Sequence, residues 1–350
     1  MQKQSIQTIL RNNRALQYIG ALLFLFFSIL LGIGIGTVSI SPVMILKIMA
    51  GSPFSKDLAE IDPMMVSIVW DIRLPRVILA GLVGASLALA GSAFQGLLRN
   101  PLADPYTLGV SSGASVGAVL VLYLGLSFFS TYTLPVLSIS FGYITILAVL
   151  GFAYLVDRNV KIETIILAGI IFSSFLGSFI SLIIALTGDE LRQIINWLLG
   201  SVSMRGWKYI WMILPFFIAG SIFLLINSKE LNVLSFGEER AQYMGVKVKQ
   251  KKYFILIGAS ILTGAAVAVS GTIGFVGLVI PHLTRIISGN DHRHLLPLNM
   301  LIGAGFLMLA DLVARTIISP TELPIGVITA LIGGPVFAFI LMKQRRERRG

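Results

Sequence analysis

Ten runs of apolar residues dominate this chain, near residues 15–36, 77–98, 108–128, 134–156, 162–186, 207–227, 253–271, 273–288, 296–318 and 324–342. A hydrocarbon core of ~30 Å is crossed by ~20 apolar residues in helical form. Lipid offers no hydrogen bonds, so backbone that crosses it must satisfy its own N–H and C=O groups, which in runs of this length means helices. The expectation is an all-α integral membrane protein with about ten transmembrane helices, forming one domain over residues 1–350. Only 12% of the residues are charged, against ~25% in soluble domains. The longest weakly apolar stretches, 37–76 and 228–252, are far shorter than the ~100 residues of an independent domain. No soluble domain is expected.

The net charge of +11 invites a nucleic-acid reading, but its distribution answers otherwise. With the N-terminus inside, the segments on the cytoplasmic side hold 19 of the 27 Lys and Arg residues. That is the asymmetry by which membrane proteins orient. It places both termini in the cytoplasm and makes the cell membrane the location, with lipid as a partner and no nucleic acid. The first run follows Lys3, Arg11 and Arg14 as a signal peptide would, yet continues without an A-x-A cleavage site, so it reads as a retained span. The chain has no cysteine, which excludes disulfides, thiolate metal sites and thiol nucleophiles.

Sliding the chain by 180 residues aligns 84–101 with 264–281 at six identities: Gly84/Gly264, Ala85/Ala265, Ala88/Ala268, Gly91/Gly271, Leu98/Leu278 and Pro101/Pro281. The segments begin five crossings apart, so the alignment predicts an inverted internal repeat, with halves at roughly 60–190 and 240–342. Two halves that tilt against each other can open a path to one side at a time.

Several polar constellations stand out. Arg73 and Arg76 flank Leu74-Pro75 at the outer mouth of the second run, where Pro75 suits a helix's first turn. The residues alone leave two readings, headgroup anchoring or exposed guanidinium groups offered to a partner's carboxylates. Asp311 and Arg315 are four apart in one run and are expected to form an intramembrane ion pair. The stretch Ser235 to Gly245 is expected to be a short cytoplasmic helix. Ser235 and Glu238 have capping-box spacing, Glu238 and Glu239 favour an N-terminus, and Phe236, Arg240, Tyr243 and Met244 would share a face. Such a face suits docking or the lipid surface. Gly109-Val110-Ser111-Ser112-Gly113 fits a hydrolase pattern but opens a span instead of following a strand. His292 and His294 are expected in a solvated loop. No phosphate loop of the G-x-x-x-x-G-K-[ST] type occurs, so the chain is not expected to bind ATP that way.

In order along the chain stand Arg73-Leu74-Pro75-Arg76, Asn100-Pro101-Leu102-Ala103, Leu108-Gly109-Val110-Ser111-Ser112-Gly113-Ala114, Gly274-Phe275-Val276-Gly277-Leu278-Val279-Ile280-Pro281-His282, Asp291-His292-Arg293, Ala310-Asp311 with Ala314-Arg315, and Glu322-Leu323-Pro324-Ile325-Gly326. Together they resemble the FecCD-type permeases of ABC importers for iron-siderophores, haem and cobalamin, over nearly the whole chain. The resemblance implies a type II importer permease that is not an enzyme and carries no cofactor, with ATP on a partner. It implies a homodimer or a paired homologous permease, two ATPase subunits and an extracytoplasmic substrate-binding protein. By resemblance, Arg73, Arg76 and Arg315 would meet the binding protein, and Phe236, Gly237, Glu238, Glu239, Ala241, Met244 and Gly245 would couple to the ATPase. That family usually has Leu-Gly at both ends of the coupling segment, where this chain has Phe236-Gly237 and Met244-Gly245. Asn100, Pro101 and Leu102 would form an inner gate. Iron-siderophore is the expected cargo, with cobalamin or haem as alternatives. An ion-coupled secondary carrier is the competing class, with Asp311 as its one obvious midplane carboxylate.

Overall fold

The structure, a computed structural model, describes residues 13–50 and 61–347. Lys3, Arg11, Lys56, Arg348 and Arg349, which enter the charge count above, lie outside them. The described chain is helical throughout its regular structure. In order come α1 (Arg14–Gly34), α2 (Pro42–Ala50), α3 (Pro63–Ser67), a π-helical turn (Ile68–Arg73), α4 (Leu74–Leu97), α5 (Val110–Leu124), α6 (Thr133–Val156), α7 (Ile162–Leu186), α8 (Leu191–Leu198), α9 (Trp207–Ile226), α10 (Ser228–Leu234), α11 (Glu238–Tyr243), α12 (Val248–Ser270), α13 (Val276–Ser288), α14 (His292–Thr316) and α15 (Ile325–Glu347). Among these, seven helices are long and apolar enough to cross a bilayer: α1, the continuous unit Pro63–Leu97, the unit Ser130–Val156, α7, α9, α12 and α14. Three shorter apolar helices accompany them, α5, α13 and the Ile325–Phe339 part of α15. All ten apolar runs are therefore helical.

The bundle is built around α4, which packs on α14, α12, α13 and α9. Its sequence explains why. Small residues let two backbones approach where no hydrophobic drive between helices exists, and Gly91 meets the carbonyl of Gly277 so closely that a Cβ there would overlap it. The outer helices carry large side chains facing away, among them Leu155, Phe175, Leu182 and Ile226, as a surface bathed in lipid tails requires.

Two of the short helices account for a difference from the sequence reading. At 1.5 Å per residue, α5 and α13 are only ~22 and ~20 Å long, short of the ~30 Å hydrocarbon core. Their missing length is taken up before α5 by residues 98–109, which include a 3-10 turn at Pro105–Leu108, and before α13 by the irregular backbone of 271–275. The aligned repeat parts company here. After Gly91 the helix runs on to Leu97, while after Ser270 it ends, with Gly271 at φ +71 and Phe275 at φ +68. Pro101 thus lies in a connection and Pro281 inside a helix.

The segment before Pro75 also departs from expectation. The helix does not start at Pro75 but at Pro63, capped by the Asp62 carboxylate on the Met64 N–H at 2.9 Å. Pro75 has no N–H to donate, and just ahead of it the ladder widens into the π turn, where the Leu74 N–H reaches Val69 O. Arg73 and Arg76 therefore stand within a helix, one turn apart.

Candidate functional site

Three groups of residues bear on function, one at each end of the bundle and one between them. At the first end, Arg73 and Arg315 converge on the C-terminus of α1. A helix end leaves its last carbonyls unpaired and carries partial negative charge, so cations are favoured there. Arg73 Nη1 donates to Ile33 O at 2.6 Å and Gly34 O at 3.2 Å, Nη2 donates to Val38 O, and Arg315 Nη2 donates to Gly32 O. Arg76 faces the other way. Its Nε lies 3.1 and 3.0 Å from the two Asp311 carboxylate oxygens, and Nη2 lies 2.9 Å from Oδ1. The same guanidinium holds Glu322 through Nη1 at 2.8 Å and Nη2 at 3.1 Å.

This corrects one expectation and adds a partner to another. The guanidinium groups of Arg73, Arg76 and Arg315 are not offered to solvent; each is engaged within the protein. The intramembrane pair of Asp311 with Arg315 exists only at 3.8 Å, and Asp311, 1% exposed, is held mainly by Arg76. Sequence spacing could show the i,i+4 neighbour but not the fork from a helix 235 residues away. Asp311 consequently offers no free carboxylate of the kind a proton-coupled carrier uses.

Between the ends, the two irregular segments meet. The Tyr106 hydroxyl donates to Ile273 O at 2.8 Å and accepts from Ile273 N at 2.9 Å, satisfying both backbone groups of a residue that no helix serves. The connection around it is self-supporting. Asn100 Oδ1 accepts from the Leu102 N–H at 2.9 Å, and Asp104 Oδ1 accepts from the Tyr106 N–H at 3.0 Å. Asn100, Pro101 and Leu102 are exposed at the start of this segment. Tyr106 was not singled out from sequence, and nothing in its neighbourhood marks it there.

At the second end, the basic loops gather. Arg14 of α1 lies 4.0 Å from Asp291, and Asp291 Oδ1 also accepts from Asn232 Nδ2 at 2.7 Å and from Arg293 N and Nε at 3.1 and 3.2 Å. Burial pushes the Asp291 carboxyl up, but these hydrogen bonds and the Arg293 charge outweigh it and hold the group below its ordinary value. His292 is buried, not solvated as expected. Its N–H and Nδ1 both lie 2.8 Å from Asn232 Oδ1. His294 meets the Tyr18 hydroxyl at 3.4 Å. Among the described residues no group of three or more His, Asp or Glu is placed to hold a metal ion.

The short helix expected after Ser235 is present as α11, but without a capping box. Ser235 donates its hydroxyl to Asn232 O at the end of α10, Gly237 at φ +112 occupies the cap position, and Glu238 pairs with Lys252 at 2.8 Å. That φ is a region L side chains rarely adopt, which is why glycine stands there. Phe236 and Met244 are each 64% exposed and Tyr243 is 91% exposed, while Ala241 is buried. Glu239 and Gly245 are exposed. An aromatic and methionine-rich knob stands free at the basic end of the bundle.

The bundle thus joins two interrupted apolar segments through Tyr106 and Ile273 and carries an exposed knob at its basic end. The comparisons give it its place. The FecCD transport family matches residues 23–343, and the chain belongs to that family. It is 58% identical, over its whole length and 99% of the relative's, to the uncharacterised ABC transporter permease protein YvrB of Bacillus subtilis. It is 38% identical to the molybdate import system permease protein MolB of Haemophilus influenzae, covering 93% of this chain and 95% of that one. It is 40% identical to the hemin transport system permease protein HmuU of Yersinia pestis, covering 81% and 85%. A solved inward-facing structure, provisionally assigned to the metal-chelate type of ABC transporter, superposes with a TM-score of 0.83 at 35% identity, covering 95% of this chain and all of that one. The protein is thus a multi-pass ABC importer permease and not an enzyme.

Proposed function

We propose that this chain is the permease through which a bulky metal chelate, an iron-siderophore complex, is imported by alternating access, driven by ATP hydrolysis on separate subunits. The observation that carries the transport reading is the meeting of residues 98–109 with residues 271–275 through Tyr106 and Ile273. Irregular backbone at membrane depth is tolerated where it lines a cavity, and interrupted spans facing each other from the two halves are where transporters bind and pass cargo. The likeness to a metal-chelate type structure supports the chelate. Haem and cobalamin would use the same passage.

In this reading the basic end is cytoplasmic, both termini lie there, and α11 seats its exposed Phe236, Tyr243 and Met244 in the ATPase. Two copies of the chain, or this chain and a homologue, enclose the path, and Asn100, Pro101 and Leu102 close it on the inner side. A substrate-binding protein docks at the other end. Because Arg76 already holds Glu322, an acidic partner there acts by exchanging with the Glu322 carboxylate, not by meeting a bare guanidinium.

The test is reconstitution in liposomes with the ATPase and binding protein encoded alongside. ATP-dependent uptake of radio-iron-labelled ferric hydroxamate, uncompeted by cyanocobalamin or haem, is the expected result. Competition by either assigns that cargo instead, and accumulation driven by an ion gradient without ATP overturns the importer reading.

A further inference from the structure

Lys252 is the one lysine of the run Lys249, Lys251 and Lys252 that is sealed in the protein, at 2% exposure. A buried ammonium is tolerable only when its donors are met. Its Nζ donates to Val160 O at 2.7 Å and to Glu238 Oε2 at 2.8 Å. These atoms belong to three separate pieces of chain. Lys252 lies in the second turn of α12, Val160 ends the connection from α6 to α7, where its φ is +52, and Glu238 opens α11. The neighbouring Lys251 bonds only what lies beneath it, Glu230 at 2.7 Å and Asn227 at 2.8 Å, both next to or within α10.

The other face of the α11 cap rests on a different neighbour. Arg99, just past α4, holds its Nη1 3.5 Å from where a Cβ on Gly237 would stand. Thus the cap of α11 lies beside the Arg99 side chain, while α11 itself packs on α10 and is bonded to α12. Helix α12 then runs 23 residues without a break to Ser270, and three residues on, Ile273 is bonded to Tyr106, in the same connection. The connection from Arg99 to Tyr106 is thus tied at its Tyr106 end to the segment that follows α12.

We infer that Lys252 is a positioning residue for transport: it makes α11, the α6–α7 connection and α12 one rigid body. A push on α11 then reaches residues 271–275 and 98–109 instead of being absorbed by bending at Gly237 and Gly245. A packed helix transmits displacement along its axis, and Gly271 beyond it is packed against the Trp197 carbonyl, whereas Gly237 and Gly245 have positive φ and room around them. The inference rests on the proposed seating of α11 in the ATPase.

The chain is free of cysteine, so spin labels can be placed at will. Leu102→Cys reports the connection and Leu22→Cys, exposed on α1 outside that body, serves as the reference. In nanodiscs with the ATPase subunits, ATP plus vanadate is expected to shift the distance between the labels. Lys252→Met in that background should reduce the shifted population per ATP hydrolysed by about tenfold, within the usual range of coupling between sites, while ATPase binding persists. Lys252→Arg, which keeps the charge and offers two donor edges, should restore it. Where Lys252→Met does not insert, Glu238→Gln on the surface side of the same pair should reproduce the loss. A shift in Lys252→Met and Glu238→Gln equal to the parent's overturns the positioning role alone. A parent that shows no ATP-dependent shift overturns the transport reading and this inference with it.

Discussion

Arg76 grips Asp311 along one edge of its guanidinium and Glu322 along another, so one cation ties α4 to α14 and to the connection before α15. Asp311 is 1% exposed, and removing one member of a buried pair leaves the other charge uncompensated, at about 3–5 kcal/mol. Arg76→Leu and Asp311→Leu should each lower unfolding stability by roughly that amount, and the double variant should lose less than their sum. Thermal unfolding of the three variants in one detergent measures the cycle, and simple additivity would show that the two side chains do not interact.

Tyr106→Phe removes one atom and leaves both backbone groups of Ile273 without a partner. Each such orphan is worth about 1–3 kcal/mol, so the variant should be destabilised measurably while inserting normally. Protection of the Ile273 amide against hydrogen exchange is the direct readout. Unchanged protection would mean that the hydroxyl is dispensable.

Asp291 contributes to the pH dependence of stability. Its folded-state value lies below that of the free carboxyl, so its contribution is fully present above the ordinary carboxylate range near ~4 and is lost as pH falls through the folded value. Linkage gives that sign because the unfolded chain then binds the proton more readily. Melting temperature between neutral and acid pH should therefore fall less steeply in Asp291→Asn than in the parent. Parallel curves would remove Asp291 from the account.

Glu322→Gln frees one edge of Arg76 without touching Asp311. If an acidic binding protein docks by exchange with Glu322, its affinity for the permease in nanodiscs should rise and become more sensitive to salt, as exposed charge pairs are. An affinity indifferent to both the substitution and the salt would place docking elsewhere.

The ten helices were legible because an apolar run in lipid has one way to satisfy its backbone. The exposure of Phe236, Tyr243 and Met244 was legible because a polar stretch between two apolar runs must lie at an end of the bundle. The fates of Arg73, Arg76 and Arg315 were not. Apart from the Asp311 that Arg315 meets four residues away, their partners are backbone carbonyls of Gly32, Ile33, Gly34 and Val38 or, for Arg76, the distant carboxylates of Asp311 and Glu322, and only packing brings them near. Lys252 was invisible for a related reason: nothing in Lys249-Gln250-Lys251-Lys252 tells which lysine turns inward. The aligned segments 84–101 and 264–281 differ in secondary structure beyond Gly91 and Gly271, because the same residue type continues one helix and ends the other.

The two arginines at the end of α1 set an order of events in biogenesis. Helix α1, which precedes the other described spans, has its terminal carbonyls capped by Arg73 from the next span and by Arg315, which is 283 residues downstream of Gly32. Until α14 is synthesised and inserted, Gly32 lacks its cap. Chains truncated before that helix should therefore hold α1 loosely, exposed to membrane proteases and to wrong helical neighbours, and release it to its final seat only when translation is nearly complete.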